Sequence, residues 1–262
     1  MAVEIIICGA MGRMGRAIIE AARDDAGVKV VGLVEAAGHQ RLRETFDING
    51  SRLSVASGLP RVPGAVIIDF TVPGAAVAAS REAAVNGNPL VVGTTGLDRA
   101  QMGEIEHAAR KVPVVYSSNM SMGVNVLWKL AREAARLFGS SADVEIIEAH
   151  HSRKADAPSG TALAAAAAVN EGLGRGPRDG LVFGREGQTG ERPKGQVGIH
   201  AVRAGDIAGD HTVLFGMEGE RLEITHRAQG REPLARGALR AAKFAARAKP
   251  GMYSMADVLG LK

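Results

Sequence analysis

Short apolar runs alternate with helix-length segments over the first half of the chain. Val3 to Cys8 is apolar and is followed at once by glycines and then by an apolar-periodic stretch, Ala17 to Ala22, so the pattern predicts a strand, a turn and a helix. Repeated alternation of this kind indicates a parallel sheet covered on both faces. Further strands are predicted at Val28 to Val34, Val66 to Phe70, Leu90 to Gly93 and Val112 to Tyr116.

Between these strands, the segment from Ala37 to Pro63 is rich in Gly, Asn, Ser and charges. It predicts a long connection with at most one short strand and carries no clear chemistry.

The pattern changes after Tyr116, which indicates that a new domain begins near this point. Gly172 to Gly195 is rich in Gly, Arg and Pro and predicts a mobile loop. The strands that follow it are joined by Gly and Asp turns, as in an open antiparallel sheet. The predicted helices of this half are Val124 to Phe138, Leu163 to Val169 with Ser159 as its cap, and Pro233 to Lys249; the predicted strands are Val144 to Ala149, Gln196 to Arg203, His211 to Phe215 and Arg221 to His226.

Composition narrows the possible classes of protein. The 262 residues suffice for two modest domains, and the 46% apolar content with only 3% aromatics fits packed α/β layers and disfavours base stacking on single-stranded nucleic acid. The formal charge of +4 comes from 32 basic and 28 acidic residues mixed along the chain, so it gives little support to a polyanion-binding surface. We therefore expect no nucleic-acid partner.

The single cysteine, Cys8, excludes an internal disulfide or a cysteine metal cluster and favours a reducing cytoplasm. The chain shows no basic leader and no apolar run near the roughly 20 residues that a membrane span needs. We therefore expect a soluble, cytoplasmic protein without a membrane partner.

A glycine loop lies where the first predicted strand turns into a helix, which is the context that dinucleotide binding requires. The loop reads Gly9-Ala10-Met11-Gly12-Arg13-Met14-Gly15, with spacing G-x-x-G-x-x-G rather than G-x-G-x-x-G. Glu35 ends the second strand 20 residues after Gly15, where an acidic side chain can accept hydrogen bonds from ribose hydroxyls and favours NAD. The alternative is a tight, closely packed turn with a solvated glutamate.

Two more polar turns follow later strands of the same predicted sheet. Gly93-Thr94-Thr95-Gly96 would reach the edge where ligands bind outside the carboxyl ends of strands, as a wall beside the nicotinamide. Ser117-Ser118-Asn119-Met120 follows the next strand and offers hydroxyl and amide partners for a carboxamide or ribose. Without the glycine loop, both would be interpreted as ordinary turns.

The densest chemistry lies in Glu148 to Thr161. His150 and His151 can exchange protons near neutral pH, and Lys154 can act as an acid if neighbouring cations lower its pKa. Ser159 can cap the following helix and leave the amides of Gly160 and Thr161 free for a carboxylate or phosphate. The alternative is a basic loop capped by chance.

The three histidines of the later strands receive a different interpretation. His200, His211 and His226 are expected to pair or pack within the sheet, and their spacing does not indicate a metal site. We therefore predict no bound metal.

Together these motifs closely resemble the 4-hydroxy-tetrahydrodipicolinate reductase (dihydrodipicolinate reductase) family. The stretches that carry the resemblance are Gly9 to Gly15, Gly93 to Gly96, Asn119 with Gly123-Val124-Asn125, Glu148 to Thr161, Arg185-Glu186-Gly187 with Thr189-Gly190, Val202 to Asp206, and Glu223 to His226. They extend over nearly the whole chain.

The resemblance implies an α/β fold with two domains. The first is a Rossmann-like, parallel-sheet domain for the dinucleotide, 1–121, to which a C-terminal segment, 232–262, returns. The second is a smaller α+β domain with an open mixed sheet, 122–231, which binds substrate and builds a homotetramer.

The implied reaction is reduction of 4-hydroxy-tetrahydrodipicolinate, with loss of water, to tetrahydrodipicolinate, using NADH or NADPH, in lysine and diaminopimelate biosynthesis. By position, His150 matches the family's proton donor or acceptor and Lys154 its proton donor. The substrate contacts carried over are His151, Gly160 and Thr161; the cofactor contacts are Gly9, Ala10, Met11, Gly12, Arg13, Met14, Glu35, Gly93, Thr94, Thr95, Ser117, Ser118, Asn119 and Met120.

One departure from the family pattern bears on the cofactor. Many members have Arg directly after the acidic residue, where it can pair with the NADPH 2′-phosphate, whereas this chain has Ala36 after Glu35. We therefore predict a preference for NADH, unless His39, Arg41 or Arg43 supplies the missing charge.

Two other functions fit the glycine loop. One is a different two-domain NAD(P) dehydrogenase of amino-acid metabolism, since such a loop specifies cofactor better than substrate. The other is a non-catalytic sensor that binds the dinucleotide without turnover. The motif from His150-His151 to Gly160-Thr161 disfavours the first function, whereas the second is separated from catalysis only by a turnover assay.

Overall fold

A computed structural model of the chain describes residues 1–48 and 50–261. Asn49, in the predicted connection, and Lys262, at the end of the predicted returning segment, lie outside the described residues. Two compact units are present: Met1–Met122 with the segment that begins at Arg231, and Gly123–Gly230.

The first unit is built on an eight-stranded sheet. Its strands are β1 Val3–Cys8, β2 Val28–Val34, β3 Thr45–Ile48, β4 Ser51–Ala56, β5 Val66–Asp69, β6 Leu90–Val92, β7 Pro113–Tyr116 and β13 Gly251–Tyr253. Its helices are α1 Arg13–Arg23, α2 Pro73–Asn86, α3 Arg99–Ala109, α6 Glu232–Ala245 and α7 Met255–Leu259. The strand order is β13-β7-β6-β5-β1-β2-β4-β3, parallel throughout except for the antiparallel pair β3 and β4.

Both faces of this sheet are covered, as the apolar strands require. Ile5 and Ile7 of β1 lie in a core with α1, α6 and α7, whereas Ile6 lies in a core with α2 and α3. Alternate residues of one strand therefore serve opposite layers, which is the arrangement of a doubly wound α/β fold.

The second unit has a five-stranded mixed sheet. Its strands are β8 Asp143–His150, β9 Leu181–Phe183, β10 Val197–Arg203, β11 Gly209–Met217 and β12 Glu220–Ala228; its helices are α4 Met122–Phe138 and α5 Gly160–Gly172, with a 3₁₀ turn at Gly139–Ser141. The order is β12-β11-β8-β10-β9. Leu127, Ala131 and the alanines of α5 pack with Ile146 and Phe215 on one face only. The α/β fold class predicted from the sequence is confirmed.

Several local predictions were also confirmed, and others were wrong. The bounds of β1 and β2 match the predicted strands, and Ser159 caps α5 through a 3.1 Å hydrogen bond from the Ala162 amide. The segment Ala37 to Pro63 contains two strands, β3 and β4, rather than at most one. They form a half-exposed hairpin at the sheet edge. Because few of its side chains are buried, its sequence shows little of the apolar pattern that predicts a strand.

The sheet of the second unit and the C-terminus also differ from prediction. Strand β9 lies within the predicted loop Gly172 to Gly195, and β8 runs parallel to β10 and antiparallel to β11, which separates two strands expected to be adjacent. The last helix ends at Ala245 instead of Lys249 and is followed by β13 and α7. Pairing of β13 with distant β7 stabilises a three-residue strand that local sequence does not mark.

Gly237 of α6 packs closely against the backbone of Met120, and a substitution can test this contact. A Cβ there would overlap the carbonyl oxygen of Met120, so Gly237→Ala should lower the free energy of unfolding by about 1–3 kcal/mol. Gly103→Ala, at an exposed position of α3 with open space around it, should instead raise it by about 0.5–1 kcal/mol. Urea unfolding followed by circular dichroism measures both, and equal stability of the two variants would contradict the packing.

Candidate active site

The glycine loop in the first unit is shaped by backbone contacts. Gly9 has φ +71°, which favours glycine, and a Cβ on Gly15 would overlap the Gly9 carbonyl and the Ala10 backbone. Helix α1 therefore begins tight against the end of β1. Its N-cap, Gly12, makes no side-chain capping bond, so the first amides of the helix, at Arg13 and Met14, are not satisfied by a cap. Such an end attracts a pyrophosphate.

Glu35 is tied to this loop. Its Oε1 accepts a 2.7 Å hydrogen bond from the Met11 amide, and its Oε2 lies 3.2 Å from the Ala36 amide. The carboxylate thus lies at the end of β2 beside the loop, with lone pairs remaining for hydroxyl donors.

A cavity of about 430 Å³ opens at this edge of the sheet, between the ends of β1, β2, β4 and β5. Of the predicted residues, Gly9, Gly12 and Glu35 line it. The cavity is also lined by residues that no sequence motif indicated: Ser57, Gly58 and Leu59 after β4, and the turn Phe70 to Val72 after β5. The cavity lies where the strand order reverses around β1, the usual ligand position in such sheets. Its residues fit a bound dinucleotide.

The predicted turn after β6, Gly93 to Gly96, is hydrogen-bonded to the buried carboxylate of Asp69. Gly93 packs against the Phe70 ring, whereas Thr95 is exposed. Thr94 Oγ1 donates a 2.6 Å hydrogen bond to Asp69 and accepts one from the Thr71 amide. Burial raises the pKa of Asp69, and this effect outweighs the hydrogen bonds from Thr94 and Thr71, which lower it. The Thr94 side chain is thus part of the scaffold beneath the loop.

The turn after β7 is similarly self-supporting. Ser117 Oγ donates to the Asn119 carbonyl at 2.8 Å, and Asn119 Oδ1 accepts from the Ser121 amide at 2.9 Å. Ser118 is exposed and Met120 is buried. The turn is preformed at the same strand edge.

In the second unit, the predicted catalytic segment begins on strand β8. His150 is its last residue and is buried, and the half-buried His151 follows outside the strand. Desolvation, with the positive charge of Arg153, lowers the pKa of His151. The two neighbouring histidines therefore occupy different environments.

Lys154 lies in the turn after His151 and is paired with an anion. Its Nζ is 2.8 Å from both oxygens of Asp156, and this hydrogen bond lowers the pKa of Asp156. The group in direct contact with the Lys154 ammonium is therefore the anion Asp156 of the same turn, rather than a cation that would lower the pKa of Lys154.

Gly160 and Thr161 are the first residues of α5. Ser159, the N-cap, places its hydroxyl on the Ala162 amide, and the Thr161 carbonyl accepts a 3.2 Å bond from the Trp128 indole. A helix start of this kind suits a carboxylate.

A buried carboxylate to which the sequence motifs assigned no role lies at the start of this segment. Glu148 is completely buried and contacts His150, Arg203 and the Ser159 amide. Burial opposes ionisation of Glu148, but hydrogen bonds from Arg203, His150 and Ser159 outweigh it and lower its pKa. The signal available in the sequence was an acidic residue at an inward-facing position of an apolar strand.

His211, expected only to pack, also lies beside His150. Their ring centroids are 5.1 Å apart, edge to face, and His211 Nε2 is 3.0 Å from Ser159 Oγ. Burial, followed by the charge of His150, lowers the pKa of His211 to about 4. His211 is therefore neutral near pH 7.

Over residues 1–48 and 50–261, no group of three or more His, Cys, Asp or Glu side chains is arranged to hold a metal ion. In the same ranges, no helix is both long and apolar enough to cross a membrane.

A doubly wound sheet with a glycine-rich first turn, together with a histidine, a lysine and a helix start in a second unit, defines an NAD(P)-dependent oxidoreductase. The family model described as "Dihydrodipicolinate reductase, N-terminus" matches residues 3–120, and the one described as "Dihydrodipicolinate reductase, C-terminus" matches 123–259. The chain belongs to the dihydrodipicolinate reductase family.

Individual relatives agree with this assignment. The 4-hydroxy-tetrahydrodipicolinate reductase of Anaeromyxobacter dehalogenans (strain 2CP-C) is 47% identical over 99% of this chain and 98% of its own. That of Alkalilimnicola ehrlichii is 47% identical over the full length of both. Among solved structures, a dipicolinate-bound dihydrodipicolinate reductase from Paenisporosarcina sp. TG-14 shares the fold, with TM-score 0.73, 22% identity, and coverage of 97% of this chain and 98% of that one.

The buried imidazole of His211 predicts a pH dependence of stability. Because its folded pKa of about 4 lies below the ordinary 6.5, the unfolded chain takes up a proton first as pH falls. Its contribution is complete above pH 6.5 and is lost between about 6.5 and 4, by about 3 kcal/mol. His211→Gln should flatten urea-unfolding stability over this window, whereas His107→Gln, exposed on α3, should not. An unchanged slope in His211→Gln would refute the assignment.

Proposed function

We propose that this chain reduces 4-hydroxy-tetrahydrodipicolinate, with loss of water, to tetrahydrodipicolinate in lysine and diaminopimelate biosynthesis. One observation carries the proposal: the proton-transfer pair His150 and Lys154 and the start of α5 occur in the same chain as the Gly9 to Gly15 loop. The names of the full-length relatives support it.

The proposed division of labour follows the two units. We place dinucleotide binding in 1–121 with 232–262, and substrate binding in 122–231; the compact units Met1–Met122 and Gly123–Gly230 support these bounds. When bound, a reduced nicotinamide supplies a hydride to the substrate ring. The proposed holders of the dinucleotide are Gly9 to Met14, Glu35, Gly93 to Thr95 and Ser117 to Met120.

In the substrate half, the protein's task is to hold two carboxylates and to move protons. The Gly160 and Thr161 amides at the start of α5 bind one carboxylate, and His151 contributes to binding the second. Lys154 holds a transferable proton on Nζ, and Asp156 fixes that ammonium in position. His150 is the second proton-transfer group, since its ring lies at the strand end beside the α5 cap.

The turnover assay combines aspartate semialdehyde, pyruvate, the preceding synthase, NADH and the purified chain. Loss of NADH absorbance that requires every component supports the proposal. Binding of NADH without turnover would indicate a sensor, and turnover with other amino-acid substrates instead would indicate a different dehydrogenase.

We also propose a cytoplasmic homotetramer. The face of the five-stranded sheet opposite α4 and α5 exposes 40% of Ile147 and 43% of Val202, which supports burial of this face in an assembly. Light scattering of the purified chain should give four times the chain mass of 27.2 kDa.

Lys154→Ala should lower kcat/KM by about 10² to 10⁴, since it removes the proposed proton donor. The matched control is Lys111→Ala, at an exposed position after α3, which should leave kcat/KM unchanged. Near-native turnover of Lys154→Ala would overturn the donor role.

We propose a preference for NADH because no arginine follows Glu35. Of the residues considered as substitutes, Arg41 is held by Glu44 and stacks on Phe46 at 5.5 Å, which supports this preference. Ala36→Arg should raise the NADPH-to-NADH ratio of kcat/KM about tenfold, because the added cation offsets the repulsion of the 2′-phosphate by Glu35.

The matched control for that variant is Ala246→Arg, exposed at the end of α6, which should leave the cofactor ratio unchanged. Dissociation constants of NADH and NADPH from fluorescence titration give an independent reading. A native protein that already favours NADPH would contradict the proposed preference.

A further inference from the structure

Glu148 is a carboxylate that is buried on the core side of a strand. It lies on the inward side of β8, in line with Val144 and Ile146, and none of its side chain is exposed. A carboxylate at such a position is strongly destabilising unless hydrogen bonds and opposite charge compensate for the loss of water. Its partners therefore indicate why it is present.

Four donors surround the Glu148 carboxylate. Oε1 accepts from Arg203 Nη2 at 2.8 Å and from the Ser159 amide at 2.9 Å. Oε2 accepts from Arg203 Nη1 at 2.8 Å and contacts His150 Nδ1 at 2.6 Å. These four contacts use the full capacity of an ionised carboxylate, which accepts hydrogen bonds and donates none.

The contact with Glu148 indicates which nitrogen of His150 carries a proton. Because an ionised carboxylate only accepts, Nδ1 acts as the donor in this contact, and in a neutral ring Nε2 then carries the lone pair. Gly209 lies beside that nitrogen, and a Cβ there would come within 3.1 Å of Nε2. Because Gly209 has no side chain, the space beside Nε2 on that side of the ring is open.

The charged groups near His150 on neighbouring elements are either paired with an opposite charge or neutral. Arg203 of β10 is its strand neighbour and is neutralised by Glu148. His211 of β11 is uncharged near neutrality, and Lys154 is paired with Asp156 in the turn that follows. His151 follows His150 in the chain, and desolvation and nearby cations lower its pKa.

The same carboxylate fixes the start of α5. The Ser159 amide donates to Glu148, and the Ser159 hydroxyl caps Ala162, so the amide and the hydroxyl of the N-cap residue both have partners. Arg203 adds a second link, since its Nη2 donates to the Asp156 carbonyl at 2.6 Å. The turn at Asp156 and the start of α5 are therefore both held in place by the buried Glu148 carboxylate, the turn through Arg203 and the helix through Ser159.

We propose that Glu148 is the positioning residue of the substrate half: it holds the proton of His150 on Nδ1, so that Nε2 performs the proton transfer, and it sets the place of the α5 amides. This proposal rests on the function proposed above. Glu148 acts through His150, Arg203 and Ser159 rather than through the substrate.

The first test needs no variant. Histidine ¹⁵N spectra of the native protein report which ring nitrogen carries the proton, and the His150 signal is assigned by its loss in His150→Gln. We expect the neutral His150 ring to carry its proton on Nδ1. A ring protonated on Nε2 instead would overturn the proposal, whether or not the protein turns over the proposed substrate.

The second test removes the charge and keeps the shape. In Glu148→Gln a neutral amide no longer requires a proton on Nδ1, so the His150 signal should move toward the Nε2-protonated form, and kcat/KM should fall by about 10-fold to 100-fold. An unchanged His150 signal together with native kcat/KM would overturn the proposal. If this variant fails to fold, the native spectrum decides alone.

Glu145→Gln is the matched control. Glu145 lies on the opposite face of β8 and has an analogous set of partners, with Arg185 at 2.7 Å, Arg192 at 2.9 Å and His200 Nε2 at 2.7 Å. Its substitution should alter the His200 signal and leave that of His150 unchanged. Loss of the His150 pattern in both variants would mean a general structural effect and would contradict a specific role for Glu148.

Discussion

Parallel strands bring their carboxyl ends to a common edge, and both parts of the proposed site depend on this constraint. In the eight-stranded sheet it brings the turns after β1, β2, β6 and β7 to one edge, although their residues are far apart in sequence. In the five-stranded sheet, β8 and β10 run parallel, so their last residues, His150 and Arg203, become neighbours. The proposed site residues of each unit are therefore positioned by strand direction.

Charge is balanced in different ways at the two sheet edges. In the first unit, backbone amides at a helix start provide positive potential, and the Met11 amide donates a hydrogen bond to the Glu35 carboxylate. In the second unit, a fully buried carboxylate is balanced by a guanidinium, an imidazole and an amide. In the proposed function, the first arrangement binds an anionic ligand, and the second orients the proton-transfer groups in a fixed geometry.

Local signals explain what the sequence could predict. Strands β1 and β2 are short apolar runs, and Ser159 precedes an alanine-rich helix, so these features follow from a few adjacent residues. The Glu148–Arg203 pair joins residues 55 positions apart, and it exists only because β10 pairs with β8 rather than with β11. The hairpin of β3 and β4 was not predicted for another reason: about half of its residues are exposed, so it lacks the apolar pattern of a buried strand.

The central claim is direct hydride transfer by a chain with a dinucleotide-binding and a substrate-binding unit. It is tested most directly with NADH that carries deuterium at the transferable position of the nicotinamide, using substrate generated in situ by the preceding synthase. Mass spectrometry of the product should find deuterium on a ring carbon, in an amount equal to the NADH consumed. Product without deuterium, or bound NADH that is never oxidised in the presence of substrate, would contradict the account.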